Sequence, residues 1–198
     1  IEKQDNSLGY ISKQWSADKI KPEFSKIKIS NPNQSISYGA AYYQYLEDMD
    51  KVEQFNDTGL KLEKQLFIKR DTNNTFFYEP IKDQGQIKLG DLVVTRFIIT
   101  SDRNMEFLHL KAMRATGLEP IDQLSGYQSE NKLKYYISQR DLATDYFIDY
   151  LPKGMHVIEL HTRASFIGEF SEGISSLQCL YAPEFISHTK GIRIKIIE

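Results

Sequence analysis

The sequence has a single cysteine, Cys179, in 198 residues. A lone thiol excludes an internal disulfide framework and any multi-cysteine zinc site, and it leaves the redox compartment open. Basic charge is not in excess: 25 Lys and Arg stand against 27 Asp and Glu, a net charge of −2. No global positive field therefore exists to hold a phosphate backbone, and general nucleic-acid binding is set aside. Long apolar runs are missing too. Stretches such as Phe97-Ile98-Ile99 are only a few residues long, far from the roughly 20 that a membrane-spanning helix needs. Neither an initiator methionine nor a charged and then apolar leader stands at Ile1, which suggests a piece of a longer or processed chain with its targeting information upstream. Glycine and proline are few, at 11 and 6, whereas 12 Tyr and 11 Phe are present. The composition is that of an ordered, aromatic-rich chain whose residues suit pleated surfaces.

Period-two alternation is the main local signal. From Met155 to Ala164, Ile158, Leu160 and Ala164 fall on one face and Glu159, His161 and Arg163 on the other, the pattern of a half-buried strand. Leu151-Pro152-Lys153-Gly154 precedes it as a turn, so Asp145–Tyr150 is expected to pair back as a hairpin. Lys88-Leu89-Gly90-Asp91 and Ser101-Asp102-Arg103-Asn104 likewise bracket a strand from Leu92 to Thr100 and lead into another from Met105 to Met113. Leu60, Leu62, Leu66 and Ile68 alternate with polar residues, as do Ile192, Ile194 and Ile196. Tyr42, Tyr45, Leu46, Met49 and Val52 are helically spaced, but Ile36, Tyr38, Ala40 and Tyr42 alternate, and a tyrosine-rich stretch with Gly39 suits a strand over Ile36–Tyr45 better. The acidic stretch Glu47–Thr58 ends in Asn56-Asp57-Thr58-Gly59 and reads as a joint. The expected organisation is residues 1–52 as strands of, or completing, a preceding module, and residues 53–198 as an all-β antiparallel sandwich of Greek-key type.

Chemistry-bearing residues are scattered. His156 and His161 lie five apart on one strand and so point to opposite faces, which prevents them from chelating one ion. His109, between Leu108 and Leu110, and His188, between Ser187 and Thr189, read as solvated. Ser125 lacks the first glycine of a nucleophile elbow and reads as a turn residue that caps a free backbone group. Arg103, Arg114, Arg140 and Arg163 are expected to pair with acids such as Glu106, Asp141 and Glu159. Cys179 shares a strand face with Leu177 and Tyr181 and reads as a core thiol. Gly85-Gln86-Ile87 and Gly168-Glu169-Phe170 are isolated glycines and make no phosphate loop. Tyr42, Tyr43 and Tyr45, or Tyr135 and Tyr136, could stack on sugars, but adjacent tyrosines on a strand split between faces, so core packing is the expected role. No catalytic, cofactor-binding or metal-ligating residue is assigned, and no binding residue is identified.

Longer phrases carry a resemblance. Gly117-Leu118-Glu119-Pro120, Leu124-Ser125-Gly126-Tyr127, Tyr135-Tyr136 to Arg140-Asp141, and Phe147-Ile148-Asp149-Tyr150-Leu151-Pro152-Lys153-Gly154 resemble the C-terminal region of bacterial alpha-2-macroglobulin family proteins, in particular the Bacteroidetes form. Arg163-Ala164 before Gly168-Glu169-Phe170, and Gln178-Cys179-Leu180-Tyr181-Ala182-Pro183-Glu184-Phe185, are similar to closing strands of the family's last macroglobulin domain. Ser30-Asn31-Pro32-Asn33 and Tyr38 to Tyr45 resemble the strands before it. The resemblance implies a non-enzymatic, cofactor-free module of a large protein that traps and inhibits proteases. Its partners would be the other domains of the same chain, and the parent would be exported to the periplasm or cell envelope, with a lipid anchor as one form of tether. A family thioester joins a cysteine to a glutamine three residues later, whereas Ala182 stands at that spacing from Cys179. A carbohydrate- or cell-surface-binding sandwich is the alternative, and three or more aromatics lining one exposed face would favour it.

Overall fold

The computed structural model describes residues 12–32, 36–72, 75–122, 124–130 and 133–198. The chain divides into two units, Ile1–Gln44 and Tyr45–Glu198. In the first, short 3-10 turns at Ala17–Lys19 and Pro22–Ser25 interrupt extended backbone, and Trp15 tilts against Phe24 at 5.2 Å between ring centroids. The strand expected over Ile36–Tyr45 does not form, and Ile36, Tyr38, Tyr42, Tyr43 and Tyr45 are all exposed. Alternation makes a strand only where a sheet and a core lie opposite. Within the second unit, Met49 and Val52 lie beside Met113 and His188.

Fourteen strands are found among the described residues: β1 (Leu60–Thr72), β2 (Thr75–Ile81), β3 (Gly85–Lys88), β4 (Leu92–Ser101), β5 (Met105–Met113), β6 (Leu118–Pro120), β7 (Gly126–Glu130), β8 (Leu133–Gln139), β9 (Ala143–Leu151), β10 (Gly154–Ala164), β11 (Gly168–Ser171), β12 (Ser176–Cys179), β13 (Ile186–His188) and β14 (Arg193–Ile197). They form a five-stranded sheet in the order β2-β1-β4-β10-β6, a six-stranded sheet β13-β12-β5-β9-β8-β7 and a three-stranded sheet β11-β14-β3. Among the described strands only β14 and β3 pair in parallel. The second unit is an all-β, mainly antiparallel sandwich. No helix among the described residues is long and apolar enough to cross a membrane.

The apolar alternation decides which face of each strand is buried. Leu60 and Leu62 of β1, Phe97 and Ile99 of β4, and Ile158 and Leu160 of β10 meet Leu108 and Leu110 of β5, Tyr146 and Ile148 of β9, and Leu177 of β12 in the larger core. Leu66 and Ile68, farther along the same face of β1, join Ile87, Val93, Ile194 and Ile196 in a second core. One long sheet thus covers two shorter ones.

Two expected hairpins are corrected. β9 pairs with β5 and β8, whereas β10 pairs with β4 and β6, so Pro152-Lys153 carries the chain across the sandwich from sheet to sheet. The Ser101–Met105 connection also crosses, since β4 and β5 lie in different sheets. The two crossings run side by side: Gly154 pairs with Ser101, Met105 pairs with Leu151, and Lys153 N–H donates to Asn104 Oδ1 at 2.8 Å. Gly154 has φ +130° with open space around its missing Cβ, so the backbone rather than packing demands glycine there. Proline and glycine specify a reversal of direction, but whether its two arms bond in one sheet depends on what other partners each arm finds.

Between the two cores, on the inward face of β1, stands Lys64. Its ammonium lies 2.8 Å from Glu172 Oε2 and donates to the carbonyls of Met113 (3.0 Å) and Glu172 (3.1 Å). Both side chains are essentially inaccessible, at 1% and 0%. Beyond that ion pair neither carboxylate oxygen of Glu172 has a hydrogen-bond partner among the described residues, and nor does the buried Thr95 Oγ1. Arg114, also buried, donates to the carbonyls of Arg140 and Asp141. Burial pushes its guanidinium below the usual range, and Asp141 and then Glu172 oppose that shift.

Two predictions follow from this interior. Lys64→Met strands a buried carboxylate and is expected to destabilise the fold by about 3–5 kcal/mol in urea unfolding, while Lys64→Met with Glu172→Leu costs less than the single change. Tyr135 and Tyr146 meet edge to face at 5.5 Å. Burial holds the Tyr135 phenol up at about 12, helped by Glu130, and raises Tyr146 still further. The folded chain keeps protons that the unfolded chain releases from about pH 10 upward, so stability falls as pH rises from about 10 to about 12. Tyr146→Phe is expected to flatten that decline when melting temperature is followed against pH.

Candidate interaction surface

Side chains that alternate into the core leave their neighbours on the outside, and on the six-stranded sheet these neighbours are aromatic. The register places Tyr127 of β7 opposite Tyr136 of β8, Tyr136 opposite Phe147 of β9, Phe147 opposite His109 of β5, and His109 opposite Gln178 of β12. Tyr127 and Tyr136 meet edge to face at 5.1 Å, while the His109 ring lies parallel to Phe147 at 4.8 Å. Exposure grows toward the sheet edge, from 36% at Tyr136 to 81% at Tyr127. Cross-strand aromatic pairs both stabilise a sheet and present apolar area at little entropic cost.

A polar cluster adjoins the row. Asp145, almost wholly buried, accepts from His109 Nε2 at 2.9 Å and from Arg140 Nε at 2.7 Å. The carboxylate therefore orients both the His109 ring and the Arg140 cation. His109, expected to be solvated, is half-buried because Phe147 covers one ring face. Among the described residues no cluster of three or more His, Cys, Asp or Glu could hold a metal.

The outer face of the five-stranded sheet is built differently. Arg96 lies over Phe67 and Tyr78 at 4.9 and 5.3 Å and pairs with Glu159 at 2.7 Å, and Lys69 covers Phe76 at 4.4 Å. Cations already occupy these aromatic faces.

The remaining sequence candidates lie apart. His156 Nε2 meets the Pro152 carbonyl at 2.8 Å, and His161 is 3.7 Å from Glu159. His188 is not solvated: it stacks on Phe55 at 5.9 Å, and the two backbones exchange hydrogen bonds. Ser125 Oγ accepts from Gln139 N–H, a capping role as expected. The arginines are held mostly by other groups than Glu106, Asp141 and Glu159: Arg103 takes Asp102, Arg140 takes Asp145, Arg163 donates to the Gly90 carbonyl, and Arg114 donates to main-chain carbonyls, that of Asp141 among them. Tyr135 points inward and Tyr136 outward, as strand parity requires, whereas the exposed Tyr42, Tyr43 and Tyr45 are not core residues.

Cys179 is buried, and its thiol donates to the Glu106 carbonyl at 3.3 Å. Tyr181, expected on the same face, instead lies in the open and meets Phe107 edge-on at 5.2 Å. Phe107 has φ +55°, a conformation that costs about 1–3 kcal/mol for a residue of its kind. Leu180 N–H donates to the Phe107 carbonyl and holds this backbone. An open cleft of about 580 Å³ lies between Glu106, Phe107, Tyr150, Cys179 and Tyr181. The row and this strained corner were missed in the sequence because both depend on pairing between distant strands, although the outward parity of Tyr136 was legible.

Comparison with known proteins gives the same architecture. The family model described as the bacterial alpha-2-macroglobulin MG10 domain matches residues 59–184. No curated protein sequence matches the chain. Salmonella alpha-2-macroglobulin reacted with methylamine aligns with a TM-score of 0.56 and 16% identity over 73% of this chain and 10% of that one. Trypsin-activated alpha-2-macroglobulin from Escherichia coli gives 0.57 and 12% over 74% and 11%. The native Escherichia coli protein from domain MG7 to the C-terminus gives 0.53 and 14% over 72% and 24%. These identities speak for the fold alone, and the chain spans about a tenth to a quarter of each of those structures. The match over most of its length shows that the chain belongs to the bacterial alpha-2-macroglobulin family and carries that family's MG10 domain.

Proposed function

We propose that the chain is a non-catalytic structural and interaction module of an alpha-2-macroglobulin-like protein that traps and inhibits proteases as a whole, and that it contacts other domains of that protein through its aromatic row. The observation that carries this reading is the in-register line Tyr127, Tyr136, Phe147 and His109, exposed most at the sheet edge. Aromatic side chains in a rigid row are the usual anchors of protein contact surfaces. A non-catalytic role is supported by the histidines, each of which is engaged by a different neighbour. The same reading takes the parent to be exported to the periplasm or cell envelope, of the Bacteroidetes form, with the residues ahead of the sandwich belonging to or completing a preceding module.

The alternative, a carbohydrate- or cell-surface-binding sandwich, gains from the same row, since at least three aromatics line one exposed face. Sugar stacking needs flat, open ring faces, whereas Tyr127 and Tyr136 stand 69° apart and the stacked pair of His109 and Phe147 closes one face of each ring. Domain contact is therefore favoured.

In the full-length parent, Tyr127→Ala with Tyr136→Ala is expected to lower the melting temperature or slow closure after protease cleavage, with unchanged retention on immobilised glycans. Loss of glycan retention with normal closure would instead establish the carbohydrate reading. Residues 1–198 alone are expected to leave protease activity intact. A stoichiometric block by this segment would overturn the assignment.

A further inference from the structure

The β1–β2 ribbon runs past the sheet that carries it. β1 pairs with β4 only as far as Lys69 opposite Leu92, while its pairing with β2 continues through Arg70 with Phe77, Asp71 with Phe76 and Thr72 with Thr75. Three residue pairs, about 10 Å of two-stranded ribbon, therefore project beyond β4. The base is anchored by Arg70, which bonds Glu79 at 3.0 Å and Asp91 at 2.7 Å.

Strand parity puts the two phenylalanines of the overhang on opposite faces. Phe76 shares the outer face with Tyr78, 5.5 Å away. Phe77 shares the inward face with Ile81, but Ile81 packs against the second core and Phe77 has nothing of that core opposite it. They are 50% and 51% exposed. A flat partner could cover only one of them. Burying both requires a cleft with two walls, and a preformed ribbon enters one without a large ordering cost.

We propose that Phe76 and Phe77 of this overhang are buried together in a cleft on another module of the same parent chain. The proposal rests on the reading of the chain as one module of a larger protein, and most of such a protein lies outside these residues: the sandwich corresponds to about a tenth of the Salmonella alpha-2-macroglobulin chain. Charge argues against a lipid surface as the occupant. Lys69 is held over Phe76, Arg70 is paired with two carboxylates, and Asp71 sits within the overhang, so no free basic fringe remains to meet anionic headgroups.

The test places the photo-crosslinker p-benzoylphenylalanine at Phe76, and separately at Phe77, in the full-length parent. The expected result is an intramolecular crosslink from each position to a segment outside residues 1–198, mapped by peptide mass spectrometry. Adducts to lipid, crosslinks to a second copy, crosslinks confined to residues 1–198, or no crosslink would each overturn the proposal. Phe76→Ser with Phe77→Ser is expected to lower the melting temperature of the parent. If that variant melts normally while the Tyr127 and Tyr136 changes impair closure, the tip proposal fails and the proposed function stands.

Discussion

The arrangement of three sheets around two cores depends on one ammonium group. The long sheet faces two shorter ones, and apolar side chains alone would pack acceptably at several offsets between them. Lys64 removes that freedom, because its donors are aimed at the carbonyl ending β5 and at the carbonyl of Glu172 beyond β11, with the Glu172 carboxylate paired beside them. A buried ion pair adds little net stability over well-packed hydrocarbon, but its geometry is directional. The same residues continue into a backbone clasp: Met113 N–H donates to Ser175 Oγ, Ser175 N–H to Thr189 Oγ1, and Thr189 N–H back to the Ser175 carbonyl. The end of β5, the entry to β12 and the loop before β14 are thereby tied at one place.

With the interior fixed in this way, the outward faces acquire distinct characters. On the five-stranded sheet Arg96 and Lys69 cover aromatic rings and leave a surface whose electrostatics are satisfied internally. On the six-stranded sheet the rings contact one another, and the row becomes more open toward β7. Asp145 stiffens its middle by holding His109 and Arg140. The strained Phe107 and the exposed Tyr181 extend the aromatic character toward the other edge. Rigid apolar area suits a contact face better than a solvent face, and on the five-stranded side such area stays half-exposed at Phe76.

What the sequence determined by itself was the inside of each strand. Leu60, Leu62, Leu66 and Ile68, then Leu108, Leu110 and Ala112, then Ile158, Leu160 and Ala164, and finally Ile194 and Ile196 are all buried, because side-chain direction has a period of two whatever the strand is paired with. The inward Tyr135, the outward Tyr136 and the buried Cys179 follow from the same parity. What only the tertiary structure decided was partnership: that Pro152-Lys153 crosses between sheets, that Lys64 in an apolar row finds Glu172 more than a hundred residues away, that four outward rings align across β7, β8, β9 and β5, and that Ile36–Tyr45 forms no strand among the described residues. Local alternation costs the same in each of these arrangements. The choice among them is made by hydrogen bonds and charge pairs between residues far apart in the chain, whose energies do not exist until the sheets have met.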